Sequence, residues 1–437
     1  MTVGFAELRP PLTQAEALVE ADRCLDCGGA HAPAPCAVAC PAGIDVASFI
    51  RAVSDGDTAA AARTIIAENL LGGTCARVCP VEMLCEGACV LHHEERRPIE
   101  IGRLQRFATE TGLPAAFDAR ERARSSGFHV AVVGAGPAGL VCAGELALLG
   151  HDVTVYDERA ETGGLARFAI APYRIEAAPI PSETHLLELL GVRFRLGVRV
   201  ESQDLRALAA TADAVFLGVG MGADTDVRYP GDDLPGVWDS LSFVETLKMS
   251  APPTVGRRVA VIGGGNTAID MAREAVRLGA EQVTMIYRRS RSEMPAYPFE
   301  IDEAANEGVH FQWLASPVRF IGDRRLQGVE CRVMSLGEPD ESGRRRPEPV
   351  EGSEFVLPVE TAIKAIGQCG HRELASWVTG IRVEDGAVEI DPLTGQTRNP
   401  KFFAGGDAVN GGATVVEAVR DGKRAAKAID EWLRCAT

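Results

Sequence analysis

The run His129–Arg159, HVAVVGAGPAGLVCAGELALLGHDVTVYDER, leaves the chain little freedom. It opens with Val130–Val133, short and rich in β-branched residues as a buried parallel strand is. Gly134-Ala-Gly136-Pro137-Ala138-Gly139 follows and starts a helix predicted to reach about Leu149. A second strand, Asp152–Tyr156, ends on Asp157 and Glu158. Together these make a βαβ unit with a dinucleotide-binding turn. Gly134 allows the tight turn, Gly136 lets backbone approach a pyrophosphate, and Gly139 lets helix and strand pack closely. The helix N-terminus offers N–H groups to the phosphates. Asp157 stands where an acid accepts hydrogen bonds from a ribose, with Glu158 one residue later. Glu145 and the glycine turn argue against a membrane span here.

At 437 residues the chain exceeds one core, so two to four domains are expected. A net charge of −16 disfavours nucleic acid or an anionic membrane as partner. The N-terminus lacks the basic-then-apolar pattern of a secretory signal and no stretch reads as transmembrane, which predicts a cytoplasmic protein. Of the 12 cysteines, eight fall between Cys24 and Cys89, and in a cytosolic chain such crowding points to metal rather than disulfides. That region, to about residue 120, is Ala-rich and predicts short helices over Leu12–Cys24 and Val46–Leu70. Its cysteines read Cys24-x2-Cys27-x8-Cys36-x3-Cys40-Pro41 and Cys75-x3-Cys79-Pro80-x4-Cys85-x3-Cys89. Close-spaced thiolates followed by proline suit iron–sulfur clusters, because short loops present several sulfurs to one cube. Structural zinc is the rival. His92-His93 adjoins the cluster but reads as a polar helix end. Cys142, Cys331, Cys369 and Cys435 read as packing residues.

After a polar link over 121–128 and the first βαβ unit come Gly163-Gly164-Leu165 and Arg174, where backbone can approach a cofactor and a guanidinium can meet a phosphate. Ala214–Gly222 reads as a buried strand that leads into another domain. A second fingerprint follows: strand Arg258–Ile262, then Gly263-Gly264-Gly265-Asn266-Thr267, a helix to Leu278, and strand Gln282–Tyr287. Where the first unit ends in acids, this one ends in Arg288-Arg289-Ser290-Arg291, which suits a 2′-phosphate and favours NADPH over NADH. Gly337–Pro349 reads as an exposed hairpin or loop. Ala362–Gln368, with Gly367, looks like the return crossing. The tail holds a strand, Gly406-Asp407, a glycine loop and a helix starting near Thr414-Val415-Val416. An acid there can bind a flavin's ribityl chain, and the helix N-terminus can face the N1/O2 edge, where reduction places negative charge. No Cys-x-x-Cys accompanies either nucleotide motif, which argues against a disulfide-reducing mechanism.

The combination resembles one family: the small subunit of glutamate synthase and the electron-input half of dihydropyrimidine dehydrogenase. The resemblance spans essentially the whole chain and is most specific over Thr74–Glu110, the GAGPAG turn and NPKFFAGGDAV. It implies an α/β fold with an N-terminal α-helical iron–sulfur domain (1–120) and two Rossmann-like domains. The NAD(P)H domain (236–362) would be inserted between two parts of an FAD domain (121–235 and 363–437). It implies FAD, NADPH or NADH, and two [4Fe–4S] clusters, with no side-chain acid or base needed for hydride transfer. One cluster would be held by Cys24, Cys27, Cys36 and Cys89. The other would use Cys40, Cys79, Cys85 and, in the dihydropyrimidine branch, Gln105. Spacing alone would nominate Cys75 in place of Gln105. Two departures stand out: the Cys27–Cys36 gap is long, and AIAPYRI at 169–175 differs from the common GIPxFRLP while keeping its arginine. Every segment is allotted and none is left for a substrate barrel, so the expected partner is a catalytic subunit in a hetero-oligomer, foremost a pyrimidine-reducing one and next glutamate synthase. A stand-alone NAD(P)H:acceptor reductase and a zinc scaffold are the other readings.

Overall fold

Strand β1 (His129–Val133) forms where the β-branched run lies, and it is buried from Val130 onward. The computed structural model describes residues 4–29, 32–117, 122–175, 179–249, 251–340 and 343–435. In it β1 is the centre of a parallel sheet with β2 (Asp152–Asp157), β3 (Arg193–Leu196), β4 (Ala214–Leu217) and β15 (Phe402–Ala404). The spatial order is β15-β4-β1-β2-β3. Helix Pro137–Leu148 follows β1, with Pro137 at its first position, where a missing N–H breaks no helical bond.

A second parallel sheet is built from β5 (Val237–Asp239), β6 (Arg258–Ile262), β7 (Gln282–Tyr287), β8 (Val309–Trp313) and β12 (Thr361–Lys364). Its order is β5-β12-β6-β7-β8. An antiparallel sheet of β9 (Ala315–Ile321), β10 (Gly328–Pro339) and β11 (Arg345–Pro358) joins it, so the expected hairpin at Gly337–Pro349 is the β10–β11 turn. Two short strands, β13 (Val383–Glu384) and β14 (Ala387–Val388), pair with each other.

The chain divides into two units. Among the described residues, one comprises those within 7–167, 174–221 and 370–435; the other holds those within 4–6, 168–173 and 222–369. The two ends of the long inserted stretch are joined to each other: Gly222 N–H donates to Cys369 O at 2.7 Å, and Asp224 bridges Gln368.

The N-terminal helices do not enclose a core of their own. Phe49, Ile65 and Leu104 belong to the same buried cluster as Val132 and Leu140 beside β1. The helix expected over Val46–Leu70 is two helices, Val46–Ser54 and Thr58–Glu68. Asp55-Gly56-Asp57 breaks it: Gly56 takes φ +78°, and the Asp57 carboxylate caps the second helix by accepting from Ala60 N–H at 2.8 Å. Among the described residues no helix is long and apolar enough to cross a membrane.

Candidate cofactor sites

The first glycine turn is shaped by close approach. Gly134 has φ +104°, and a Cβ there would fall on the Gly218 carbonyl. Gly136 and Gly164 face one another, since a Cβ on Gly164 would lie 2.8 Å from the Gly136 Cα. Side chains at either position would fill the cradle that a pyrophosphate needs. Gly164 and Leu165 open a short helix, Gly164–Phe168, and Gly163 N–H ties it to Ala135 O at 2.8 Å. Asp157 braces the turn: its Oδ2 accepts from Ala135 N–H at 2.6 Å and its Oδ1 from Arg159 N–H at 2.8 Å. Glu158 instead pairs with Arg199 at the surface at 3.3 Å. Arg174 is half-buried in the turn at 172–174.

The tail comes back to this turn. Helix Val415–Cys435 packs on helix Pro137–Leu148 so tightly that a Cβ on Gly422 would strike the carbonyl of Ala138. Asp421, 2% exposed, accepts from Gly406 N–H at 3.2 Å and holds the loop. Asp407 accepts from Ala413 N–H at 3.2 Å, and burial, with Asp421 and Glu417 nearby, pushes its carboxyl pKa up. Thr414 and Glu417 cap the helix reciprocally, with Thr414 N–H donating at 3.0 Å and Glu417 N–H at 3.3 Å. That leaves the amides of Val415 and Val416 at the helix's open end. A flavin fits this geometry: a small-residue cradle for its phosphates, an acid at the second strand's end, and a helix N-terminus for its electron-accepting edge.

In the second unit Gly263 turns the chain against the Ala365 carbonyl, and a Cβ at Gly265 would meet nothing within 4 Å. That open space lies at the start of helix Asn266–Arg277, beside Thr267. Asn266 Oδ1 accepts from Tyr297 N–H at 3.0 Å. Gly367, at φ +102°, accepts from Thr225 N–H at 2.8 Å. The sheet registers align the two units. Gly134 N–H bonds Tyr156 O, and Gly263 N–H bonds Ile286 O. Asp157 therefore corresponds to Tyr287 and Glu158 to Arg288. The ribose-acid position is filled by a phenol, whose OH donates to Glu293 O at 2.8 Å, and Arg288 next to it is exposed.

Arg289 corrects the expectation of two phosphate-facing arginines. It is 5% exposed, its Nε donates to Arg345 O and its terminal nitrogen to Asp340 Oδ2, both at 2.7 Å. Sequence alone could not separate Arg288 from its neighbour, because the partners of Arg289 lie more than fifty positions away.

Four thiols, Cys24, Cys27, Cys36 and Cys89, line one cavity holding about 380 Å³ of non-atom space, some of it open to solvent; its other walls are apolar, Ile50 and Leu91 among them. Burial pushes Cys24 up and Cys36 up to about 11, with neighbouring thiols adding to it. A second group gathers Cys40, Cys75, Cys79 and Cys85. Cys79 is raised by a hydrogen bond with Cys75, by burial and by Cys85 and Cys40; Cys85 is raised by burial and by Glu86 and Cys40. Thiolates are unfavourable in such places unless positive charge sits among them, which cluster irons supply. Among the described residues no three His, Cys, Asp or Glu converge to hold a single metal ion. Gln105 is buried, and its Nε2 donates to Gly72 O at 2.7 Å, at the first residue of the helix that carries Cys75. The second group thus has both Cys75 and Gln105 close to the helix Gly72–Val78.

A residue that no sequence motif singles out ties this helix to the rest. Glu183, 1% exposed on helix Ile180–Leu189, accepts from Gly73 N–H at 2.8 Å, from Thr74 N–H at 3.0 Å and from the Thr74 hydroxyl. Of the four cysteines read as packing residues, Cys142 and Cys331 are buried but Cys369 and Cys435 are exposed. Cys369 lies where the chain leaves the inserted unit, and Cys435 follows the last core residue of its helix, Leu433. His92 is an exposed helix-end residue.

Residues 2–115 match the family described as dihydropyrimidine dehydrogenase domain II, 4Fe-4S cluster, and residues 128–422 match pyridine nucleotide-disulphide oxidoreductase. The chain is 36% identical to the glutamate synthase [NADPH] small chain of Halomonas elongata, across 98% of this chain and 93% of that one. It is 38% identical to the NADP(+)-dependent formate dehydrogenase subunit beta of Moorella thermoacetica, across 92% of this chain but only 60% of that longer protein. Among solved structures, Mycobacterium tuberculosis FprA in complex with NADPH shares the fold at a TM-score of 0.59 and 22% identity, covering 71% of this chain and 85% of that one.

Proposed function

The chain belongs to the iron–sulfur flavoprotein family that includes the glutamate synthase small chains, and we propose that it is the electron-input subunit of a dihydropyrimidine dehydrogenase-type enzyme. At the coarser level it is an FAD-dependent NAD(P)H oxidoreductase with [4Fe–4S] chemistry. A bound flavin would supply the acceptor for hydride from the nicotinamide, and bound clusters would supply one-electron transfer towards a partner. The chain's own residues hold and orient. The Gly134–Gly139 turn and Gly164 would hold the flavin pyrophosphate, Asp157 its ribose, and Asp407 and the N-terminus of helix Val415–Cys435 the rest of the flavin. Gly265, Asn266 and Thr267 seat the NADPH pyrophosphate, and Arg288 meets its 2′-phosphate. Cys24, Cys27, Cys36 and Cys89 hold one cluster; Cys40, Cys79, Cys85 and Gln105 hold the other.

The observation that carries this reading is that four thiols line one apolar cavity, in the same unit as the flavin cradle. The match of residues 2–115 to dihydropyrimidine dehydrogenase domain II supports the pyrimidine-reducing branch. A glutamate synthase partner is the second reading, favoured by the 36% identity to a chain of that name. Twelve free cysteines agree with a cytoplasmic setting.

The test is anaerobic reduction of the reconstituted protein by NADPH and by NADH, followed by absorbance and EPR, with iron and sulfide counted. About eight irons per chain, flavin bleaching and a preference for NADPH are expected. Zinc in place of iron, or a flavin that neither nucleotide reduces, would overturn the reading. Turnover with each catalytic subunit then decides between the two partners.

A further inference from the structure

Arg289 is doubly anchored to the β10–β11 hairpin. Its side chain holds Asp340 and the Arg345 carbonyl, while its own carbonyl accepts from Leu314 N–H at 3.2 Å, and Leu314 O in turn accepts from Met334 N–H at 2.7 Å. The hairpin turn is closed by Asp340 N–H to Arg344 O at 2.7 Å, and the Arg345 guanidinium folds back on Leu336 O at 2.6 Å. On the other side of Arg288, Tyr287 is buried and bonded to Glu293 O. Arg288 is therefore an exposed arginine between two fixed neighbours, at the strand end where the first unit carries its acids.

We propose that Arg289 is a positioning residue for nucleotide choice: it clamps the β10–β11 turn to the end of β7 and so fixes Arg288 where it meets the 2′-phosphate of NADPH. This rests on the NADPH reading above and adds to it the clamp, through Asp340, as the source of selectivity. An arginine whose backbone is held on both sides loses less freedom on meeting a phosphate than one on a mobile loop, so the clamp acts on binding of the 2′-phosphate and not on the rest of the nucleotide.

The test compares binding of 2′,5′-ADP and 5′-AMP to the flavin-loaded full chain by calorimetry. R288A removes the direct contact and should weaken 2′,5′-ADP at least about tenfold while 5′-AMP holds. D340N, which keeps an acceptor for the turn but removes the charge facing Arg289, should weaken 2′,5′-ADP about threefold to tenfold, again leaving 5′-AMP alone. R289K keeps a charge but cannot make both contacts, and should behave like D340N. If D340N and R289K weaken both ligands equally, or neither, the clamp is structural only and the proposal fails. If the wild-type chain binds the two ligands equally, the NADPH reading itself is wrong, an outcome recognisable before any variant is measured.

Discussion

Replacing Glu183 by Ala should detach the helix that carries Cys75 and leads into Cys79. The carboxylate is 1% exposed and is the acceptor for Gly73 N–H, Thr74 N–H and the Thr74 hydroxyl, all in buried residues. Truncation strands three buried donors at about 1–3 kcal/mol each; some are rescued by an entering water, and the variant no longer bears the burial of a carboxylate. A net loss of about 3–5 kcal/mol follows, a large share of a domain's stability. Gln at the same position keeps an oxygen for the two amides, and its NH2 can face a Thr74 hydroxyl turned to accept, so E183Q should cost about 1 kcal/mol. Denaturant unfolding of the cluster-loaded protein, with iron counted per chain across the transition, separates them. E183A should lose iron at a denaturant concentration where E183Q and wild type retain it. Equal midpoints for the two variants, with iron unchanged, would refute the view that this carboxylate holds the cysteine helix.

Three further outcomes are expected. G422A should destabilise by about 1–3 kcal/mol and weaken flavin retention, because its Cβ collides with the Ala138 carbonyl below the pyrophosphate turn; flavin release on gel filtration reads it. C75S should keep its full iron complement whereas Q105L should lose about four irons or change one EPR signal; the reverse result would assign Cys75 as the ligand. Burial alone would raise the Glu307 pKa, but hydrogen bonds from Arg277 and Arg273 outweigh it and hold it at about 2, against 4.5 when exposed. A depressed carboxylate stabilises above its unfolded value and loses that contribution as pH falls, so E307Q should be less stable than wild type near neutrality, on the order of 2 kcal/mol after screening. The gap should close between pH 4.5 and 2 in unfolding titrations.

The two βαβ units were legible because their signals are local: a β-branched run, glycines at fixed spacing and a strand end within thirty residues. The first group of thiols was legible only through resemblance, since spacing does not say that Cys89 closes a site begun by Cys24; folding brings these distant thiols to one cavity. The break at Asp55-Gly56-Asp57 was readable in principle, as an acid cap after a glycine, but the Ala-rich periodicity on both sides masked it. Arg289, Glu183 and the Tyr287 equivalence were illegible for one reason. Each depends on a partner or a register set by tertiary packing, and no window of sequence contains both sides of the contact.

The hydrogen bond from Gly222 to Cys369 has a consequence for how such a protein is made and remade. β4 waits for β15, its neighbour in the first sheet, until some 180 further residues have left the ribosome, so the intervening unit can complete its own two sheets before the flavin sheet is finished. The insert's entry and exit are hydrogen-bonded to each other, so one backbone pair brackets the whole 222–369 stretch. Exchange of that stretch, in evolution or by design, would have to carry residues 168–173 with it, because they belong to the same unit.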